Sequence, residues 1–313
     1  MILCCGEALI DFVPLPDVRA YQPCPGGSVY NVAVGLGRLA IPIGFFCKIS
    51  NDFFGDMLVD NLSDNEVDTS YCMRTPHPTT LAFVSLESED HSEPQFSFYT
   101  NGSADRSLTV NELPSQLSES VKVLHFGSIS LVMEPGATAL ETFMARERRQ
   151  RIISLDPNVR PNLIADRAAY RQRFEKWIAS VDILKLSCVD RCWIYPDVSF
   201  EACLRRWFDL GVSVVIQTKG EDGAEGFGAT GNYAFVETPE VVVADTVGAG
   251  DTFLAATLAY LYQADIMEMD KLRKITSYQL SACLSYASHA AAISCSRIGA
   301  NPQYRRELEK IDT

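Results

Sequence analysis

The chain reads as an α/β protein whose mostly parallel sheet is covered by helices on both faces, with a small β element beside it. Three observations lead there. Short apolar strand patterns alternate with amphipathic helical patterns through most of the length. Two segments, about 12–25 and 70–109, interrupt that alternation and hold no helical pattern. Finally, 47% of the 313 residues are hydrophobic and 21% charged, enough apolar material for a large core. We expect one domain over residues 1–313, with the two interrupting segments inserted as a lid.

The first strand pattern, 2–5 (Ile-Leu-Cys-Cys), is wholly apolar, as a strand buried on both faces must be. It meets Glu7 at once and no basic stretch precedes it, so it reads as structure and not as an export signal. A cytoplasmic setting is the expectation. Further strand patterns lie at 43–49, 121–126, 152–155, 183–186 and 212–217. Helical patterns separate them at 28–39, 54–65, 135–149, 166–180 and 200–210. Such β-then-α order implies right-handed crossovers and parallel neighbours. Inside the second interruption, 80–87 and 95–100 have period-2 character around a polar turn. The Gly-rich 223–243 predicts hairpins at the far edge, helices at 251–263 and 278–296 follow, and the charged tail 303–313 is peripheral.

Lys plus Arg is 27 and Asp plus Glu is 40, so the formal charge is −13. That charge repels nucleic-acid phosphates and anionic lipid. No apolar run reaches the roughly 18 residues of a membrane span. Neither nucleic acid nor membrane is expected as a partner. The ten cysteines include no Cys-x-x-Cys pair and read as reduced, mostly buried thiols. Cys188 and Cys192 can share a helix face, but four His residues in the whole chain leave a zinc site short of ligands.

Chemistry concentrates in the run Asp245-Thr246-Val247-Gly248-Ala249-Gly250-Asp251-Thr252-Phe253. Gly248, Ala249 and Gly250 can turn sharply and present consecutive N–H groups at the start of a helix. A helix N-terminus favours an anion. Asp251 stands in the first turn, where the dipole should hold it ionised. A carboxylate beside an oxyanion cradle suits removal of a proton from a hydroxyl that attacks a phosphoryl group. Taken alone, Gly-x-Gly-Asp reads first as a helix cap, and the nine-residue run as a whole reverses that.

The run resembles the C-terminal signature of the ribokinase-like, or PfkB, carbohydrate kinases. The segment 26–39, Gly-Gly-Ser-Val-Tyr-Asn and onward, resembles the N-terminal signature, with Gly26, Gly27 and Asn31 at its key positions. The resemblance extends over nearly the whole chain, and its sub-pattern is similar to fructokinases. It implies a three-layer α/β/α body with a β-sheet lid, and phosphoryl transfer from ATP to a sugar. It implies that Asp251 is the base and that the Gly248–Gly250 backbone is the anion hole. It places Asp11, Gly26, Gly27, Asn31, Phe98 and Arg160 on the sugar, Arg160 from a segment similar to the family's Asp-Pro-Asn-x-Arg. It places Asn158, Lys185, Thr218, Gly220, Gly223, Ala287 and Ala291 on the nucleotide. Asp190 would meet Mg²⁺ through water, and Asp245 and Thr246 would serve a monovalent cation such as K⁺. The lid strands would admit a homodimer.

Three departures accompany the resemblance. Ser187-Cys188-Val189-Asp190 stands where the family often has Asn-x-x-Glu, so the acid is one methylene shorter. Phe98-Tyr99 is followed by Thr100-Asn101 where fructokinase lids usually carry Arg. After Gly299-Ala300 the residues match less well. A 2-keto-3-deoxygluconate kinase, a ribokinase or a non-catalytic sugar-binding relative therefore stay open. A dinucleotide oxidoreductase and a P-loop kinase are disfavoured: no Gly-x-Gly-x-x-Gly follows the first strand and no Gly-x-x-x-x-Gly-Lys-Ser/Thr occurs.

Overall fold

The structure, a computed structural model, describes residues 1–15, 18–85 and 95–308. Positions 16–17, the turn between the two lid patterns with 86–87 of the first, and 309–313 of the tail lie outside them. In chain order the body begins with β1 (Ile2–Cys5) and passes at once into β2 (Leu9–Pro14) and β3 (Tyr21–Gly26). Then come α1 (Ser28–Arg38), β4 (Ile43–Ser50), α2 (Phe53–Asp64), β5 (Cys72–Thr75), β6 (Thr80–Ser85) and β7 (Gln95–Tyr99). Next are β8 (Val123–Gly127), α3 (Gly136–Glu147), β9 (Ile152–Asp156), α4 (Arg167–Ile178), β10 (Ile183–Ser187), α5 (Cys188–Ile194) and α6 (Phe200–Leu210). The chain closes with β11 (Val214–Thr218), β12 (Ala224–Gly228), β13 (Tyr233–Val236), α7 (Ala249–Gln263), α8 (Met269–Arg273), α9 (Ser277–Cys295) and α10 (Arg305–Leu308).

Nine strands form the large sheet, in the order β13-β12-β11-β10-β9-β8-β1-β4-β5. From β11 to β5 every pairing is parallel, and β12 and β13 add an antiparallel edge. Alternate strand residues feed two cores. Ile2, Cys4, Val123, Ile152, Ile183 and Val214 pack under α1, α7 and α9. Leu3, Cys5, Leu124, Ile153, Leu184 and Val215 pack under α3, α4 and α6. Both faces are therefore covered, which explains why these strands carry apolar residues at every position. This is the three-layer architecture.

The lid is a separate four-stranded sheet, β3-β2-β6-β7. Its inner face carries Leu9, Ala82, Phe96 and Phe98, packed with Ile129 and Leu163 of the body. On the other face Phe12 stacks on Phe83 at 4.7 Å, flanked by Tyr21 and Tyr99. The lid differs from expectation at two places. It starts at Leu9, since β2 pairs with β3 along its whole length and with β6 from Leu9 to Phe12. Residues 72–75 are not lid: β5 pairs in parallel with β4, Cys47 opposite Cys72, and extends the large sheet.

Candidate active site

Two helix N-termini converge beyond the strand ends. Gly26 and Gly27 lead into α1, and a Cβ on the first would fall 2.2 Å from Oδ2 of Asp11, so a side chain there would displace that carboxylate. Gly27 caps α1 without a side-chain acceptor. Glu7, buried just after β1, takes that role. Its Oε1 accepts the amides of Ser28 at 2.9 Å and Val29 at 3.4 Å. Burial pushes Glu7 up to about 7.

Gly248 caps α7 at φ +75°, a left-handed conformation, and a Cβ there would meet that of Ala300 at 2.7 Å. Glycine alone satisfies both demands. The amide of Ala249 turns back to Thr246 and that of Thr252 to Gly248. Among the described residues, the amides of Gly248, Gly250 and Asp251 meet no acceptor. Lys185 completes this corner, because a Cβ on Gly250 would stand 3.2 Å from its Nζ. The ammonium is buried and paired with Asp156 at 2.7 Å. Burial works against its charge, but Asp156 overcomes this and holds Lys185 above its usual range. A positive corner with unsatisfied amides is chemically a phosphate site.

Asp251 joins the two termini. Its Oδ1 accepts Ser28 Oγ at 2.7 Å and Asn158 Nδ2 at 3.4 Å, and its Oδ2 accepts Asn31 Nδ2 at 2.8 Å. The helix dipole led us to expect an easily ionised acid. Instead burial raises its pKa, opposed by the Asn31 and Ser28 hydrogen bonds and by the charges of Lys185 and Arg160. The direction makes Asp251 a stronger base than an exposed aspartate.

The sugar-side candidates gather beside it. Asp11 of the lid is pushed up to about 7, first by burial and then by the charge of Asp251, with Arg160 opposing. Arg160 donates to Asn158 Oδ1 at 2.7 Å, and its guanidinium lies 6.0 Å from the Phe96 ring of the lid. Asn162 Nδ2 reaches the carbonyl of Phe96 at 3.0 Å, a second tie between lid and body. Phe98 lies on the lid's inner face. Thr218 ends β11 opposite Ser187, and Gly220 and Gly223 shape the loop after it with positive φ.

Other candidates have structural partners. Asp190 Oδ1 holds the amide of Val159 at 2.9 Å, and its Oδ2 accepts Ser187 Oγ at 2.7 Å in a capping box that starts α5. Any role toward a hydrated metal must use its remaining lone pairs. Asp245 ties the segment before α7 to the C-terminal turn, accepting Val247 N at 2.9 Å and Gly299 N at 2.8 Å, while the Thr246 carbonyl accepts Ala249. Ala287 lies wholly inside the core, where its small side chain serves packing, whereas Ala291 is partly exposed. His125 is buried with its ring beside Ser154 and stays neutral.

Glu7, Ser28 and Asp156 belong to the site and escaped the sequence reading. Glu7 carried a signal, a lone carboxylate directly after a buried strand. Ser28 carried none, because its partner Asp251 is 223 residues away.

The pfkB family carbohydrate kinase model matches residues 1–305. The chain is 40% identical over 270 residues to a fructokinase of Rhizobium leguminosarum bv. trifolii, covering 85% of this chain and 81% of that protein. The crystal structure of fructokinase with bound ATP from Xylella fastidiosa aligns at a TM-score of 0.88 and 28% identity over 99% of this chain and 98% of that one. A fructokinase from Vibrio cholerae O395, in its fructose, ADP and calcium ion bound form, aligns at 0.81 and 26% identity over 96% and 94%. The open amides of α7, the buried lysine beside them and the hydrogen-bonded aspartate thus sit in a chain that belongs to the pfkB carbohydrate kinase family, an ATP-dependent sugar kinase.

Proposed function

We propose that the chain transfers the γ-phosphoryl group of ATP to the 6-hydroxyl of D-fructose, with Asp251 as general base. The observation that carries this reading is a buried carboxylate, held by Ser28, Asn31 and Asn158, at the open N-terminus of α7. Fructose is favoured by the fructokinase relative at 40% identity and by the fructose-bound Vibrio structure.

Asp11, Gly27, Asn31 and Arg160 orient the sugar, and Phe98 covers it from the lid. The 6-hydroxyl gives its proton to Asp251 as its oxygen bonds to the γ-phosphorus. The bond from that phosphorus to the β,γ-bridging oxygen breaks, and ADP leaves. Among the described residues Oδ2 of Asp251 accepts one donor, so it retains a lone pair for this proton. The amides of Gly248 and Gly250, with Lys185, face the charge on the transferring group. Thr218, Gly220, Gly223 and Asn158 would border the nucleotide, and Ala291 its base. Bound Mg²⁺ would neutralise phosphate charge, reached by Asp190 through water. A monovalent cation beside Asp245 and Thr246 would steady the turn before α7.

Two further readings accompany this one. The aromatic outer face of the lid, with Tyr99 64% and Tyr21 49% exposed, supports a homodimer through the lid. Ten free thiols support a reducing, cytoplasmic setting. Among the described residues, no helix is long and apolar enough to cross a membrane.

The test is ADP release with ATP and Mg²⁺ against fructose, glucose, ribose and 2-keto-3-deoxygluconate, beside Asp251→Asn. We expect turnover on fructose, reduced about 10²-fold or more in the variant while nucleotide still binds. Turnover on another sugar alone removes the substrate. Near-normal turnover in the variant removes the base.

A further inference from the structure

We propose that Ser28 is a positioning residue for Asp251, and that Asn158 links it to Arg160. The sugar-facing cation and the base then share one line of hydrogen bonds. The inference rests on Asp251 being the base. It begins with donor counting. A guanidinium has donors only, so Asn158 must turn its Oδ1 toward Arg160, 2.7 Å away. Its Nδ2 is thereby directed to Ser28 Oγ, at 2.8 Å. A hydroxyl that accepts there has one proton left to give, and the acceptor in line is Asp251 Oδ1, at 2.7 Å. Arg160 thus sets the direction of every bond down to the carboxylate.

The chain of contacts is held stiffly. Ser28 is buried at the first turn of α1, and its amide is pinned by Glu7 at 2.9 Å. Asn158 sits at φ +35°, a strained value for a residue with a side chain, and this is the residue that bridges Arg160 and Ser28. Strain retained at a junction points to a need for the amide at that spot. Because Phe96 of the lid lies over Arg160, lid position bears on the first member of the line. Asn31 holds the other carboxylate oxygen, so loss of Ser28 would leave Asp251 on that bond and the long contact to Asn158, 3.4 Å away.

The experiment compares Ser28→Ala, Ser28→Thr and Asp251→Asn with the parent chain, measuring kcat, KM for sugar and ATP, and kcat from pH 5 to 9. Removing a donor from a charged group should lower kcat about ten-fold or more. KM for ATP should hold within about two-fold, since Ser28 lies off the phosphate corner. The ionised form of Asp251 loses a stabilising bond, so its pKa rises and the acid limb of kcat moves to higher pH. Ser28→Thr, which keeps the hydroxyl, should restore most of both. A merely structural serine would lower the melting temperature and leave the limb in place. If Ser28→Ala melts too early for kinetics, Ser28→Cys, a poorer donor of similar size, serves for the same profile. Parent-like kcat and pH limb in Ser28→Ala, with Asp251→Asn inactive, overturn the role of Ser28 alone. An active Asp251→Asn overturns the base and this inference with it.

Discussion

The N-termini of α1 and α7 meet across the Ser28–Asp251 hydrogen bond, and their free amides have opposite fates. At α1 the chain supplies its own anion: Glu7 takes the amides of Ser28 and Val29. At α7 no side chain caps the helix, and the amides of Gly248, Gly250 and Asp251 meet no acceptor among the described residues. Both ends carry the same partial charge and the same unsatisfied donors. An internal carboxylate makes the first a fixed support for Ser28 and Asn31. Leaving the second open makes it a receptor. A helix start becomes a site through what the rest of the chain withholds from it.

Closing the open end should have the largest effect on that contrast. Gly248→Ala places a side chain at φ +75° and against Ala300. We expect a stability loss of about 1–3 kcal/mol and at least a ten-fold fall in kcat, roughly the scale of a displaced oxyanion donor. Urea unfolding and steady-state kinetics read both, and unchanged turnover would detach the open amides from catalysis. Opening the closed end should matter less. Glu7→Ala frees two amides at α1 and should cost about 1–2 kcal/mol. In urea melts a loss as large as that of Gly248→Ala would erase the distinction between support and receptor.

The smallest expected effect concerns Asp11, which faces the same junction from the lid. Burial, then the charge of Asp251, raises it from 3.8 to about 7. An acid whose folded pKa lies above its unfolded value binds its proton more tightly when folded. Its contribution to stability is therefore full below about pH 4 and is lost as pH rises toward 7. The melting temperature of the sugar-free parent should fall relative to that of Asp11→Asn between pH 5 and 8. Parallel curves would assign the trend to other buried acids, Glu7 first.

Long, strongly periodic elements were legible in the sequence. The helix expected at 200–210 is α6 to the residue, and 278–296 is α9 within one residue at each end. Short apolar strands were legible too, β1 at 2–5 to the residue, but two short elements without such a run were not. Four residues of β5 give no period, and only pairing with β4 makes them a strand. The seven residues of α5 follow β10 without a break, and their start signal is the capping box of Ser187 and Asp190. In the site, Gly248, Gly250, Asp251 and Asn31 were accessible because each sits in a local glycine-helix pattern. Ser28 meets Asp251 223 residues away and Asp156 meets Lys185 29 residues on, pairings that no spacing rule can reach.

The division of contacts between two sheets has a consequence for how such a protein diversifies. Asp11, Gly26 and Phe98 ride on the four-stranded lid, whereas Asp251, Lys185 and the amides of α7 belong to the body. The lid leaves the body just after β1, through Gly6 to Ala8, and its last described strand rejoins it after Tyr99. Its inner face meets the body through a small cluster of Leu9, Ala82 and Ile129, and from the other face Ile10 enters the main core, with Phe12 and Leu81 packed against it. Under the proposed function, substitutions on those strands would redraw sugar preference and reach the base only where Asp11 meets the charge of Asp251 and Phe96 lies over Arg160. Preference would then drift apart from chemistry wherever those two contacts are kept.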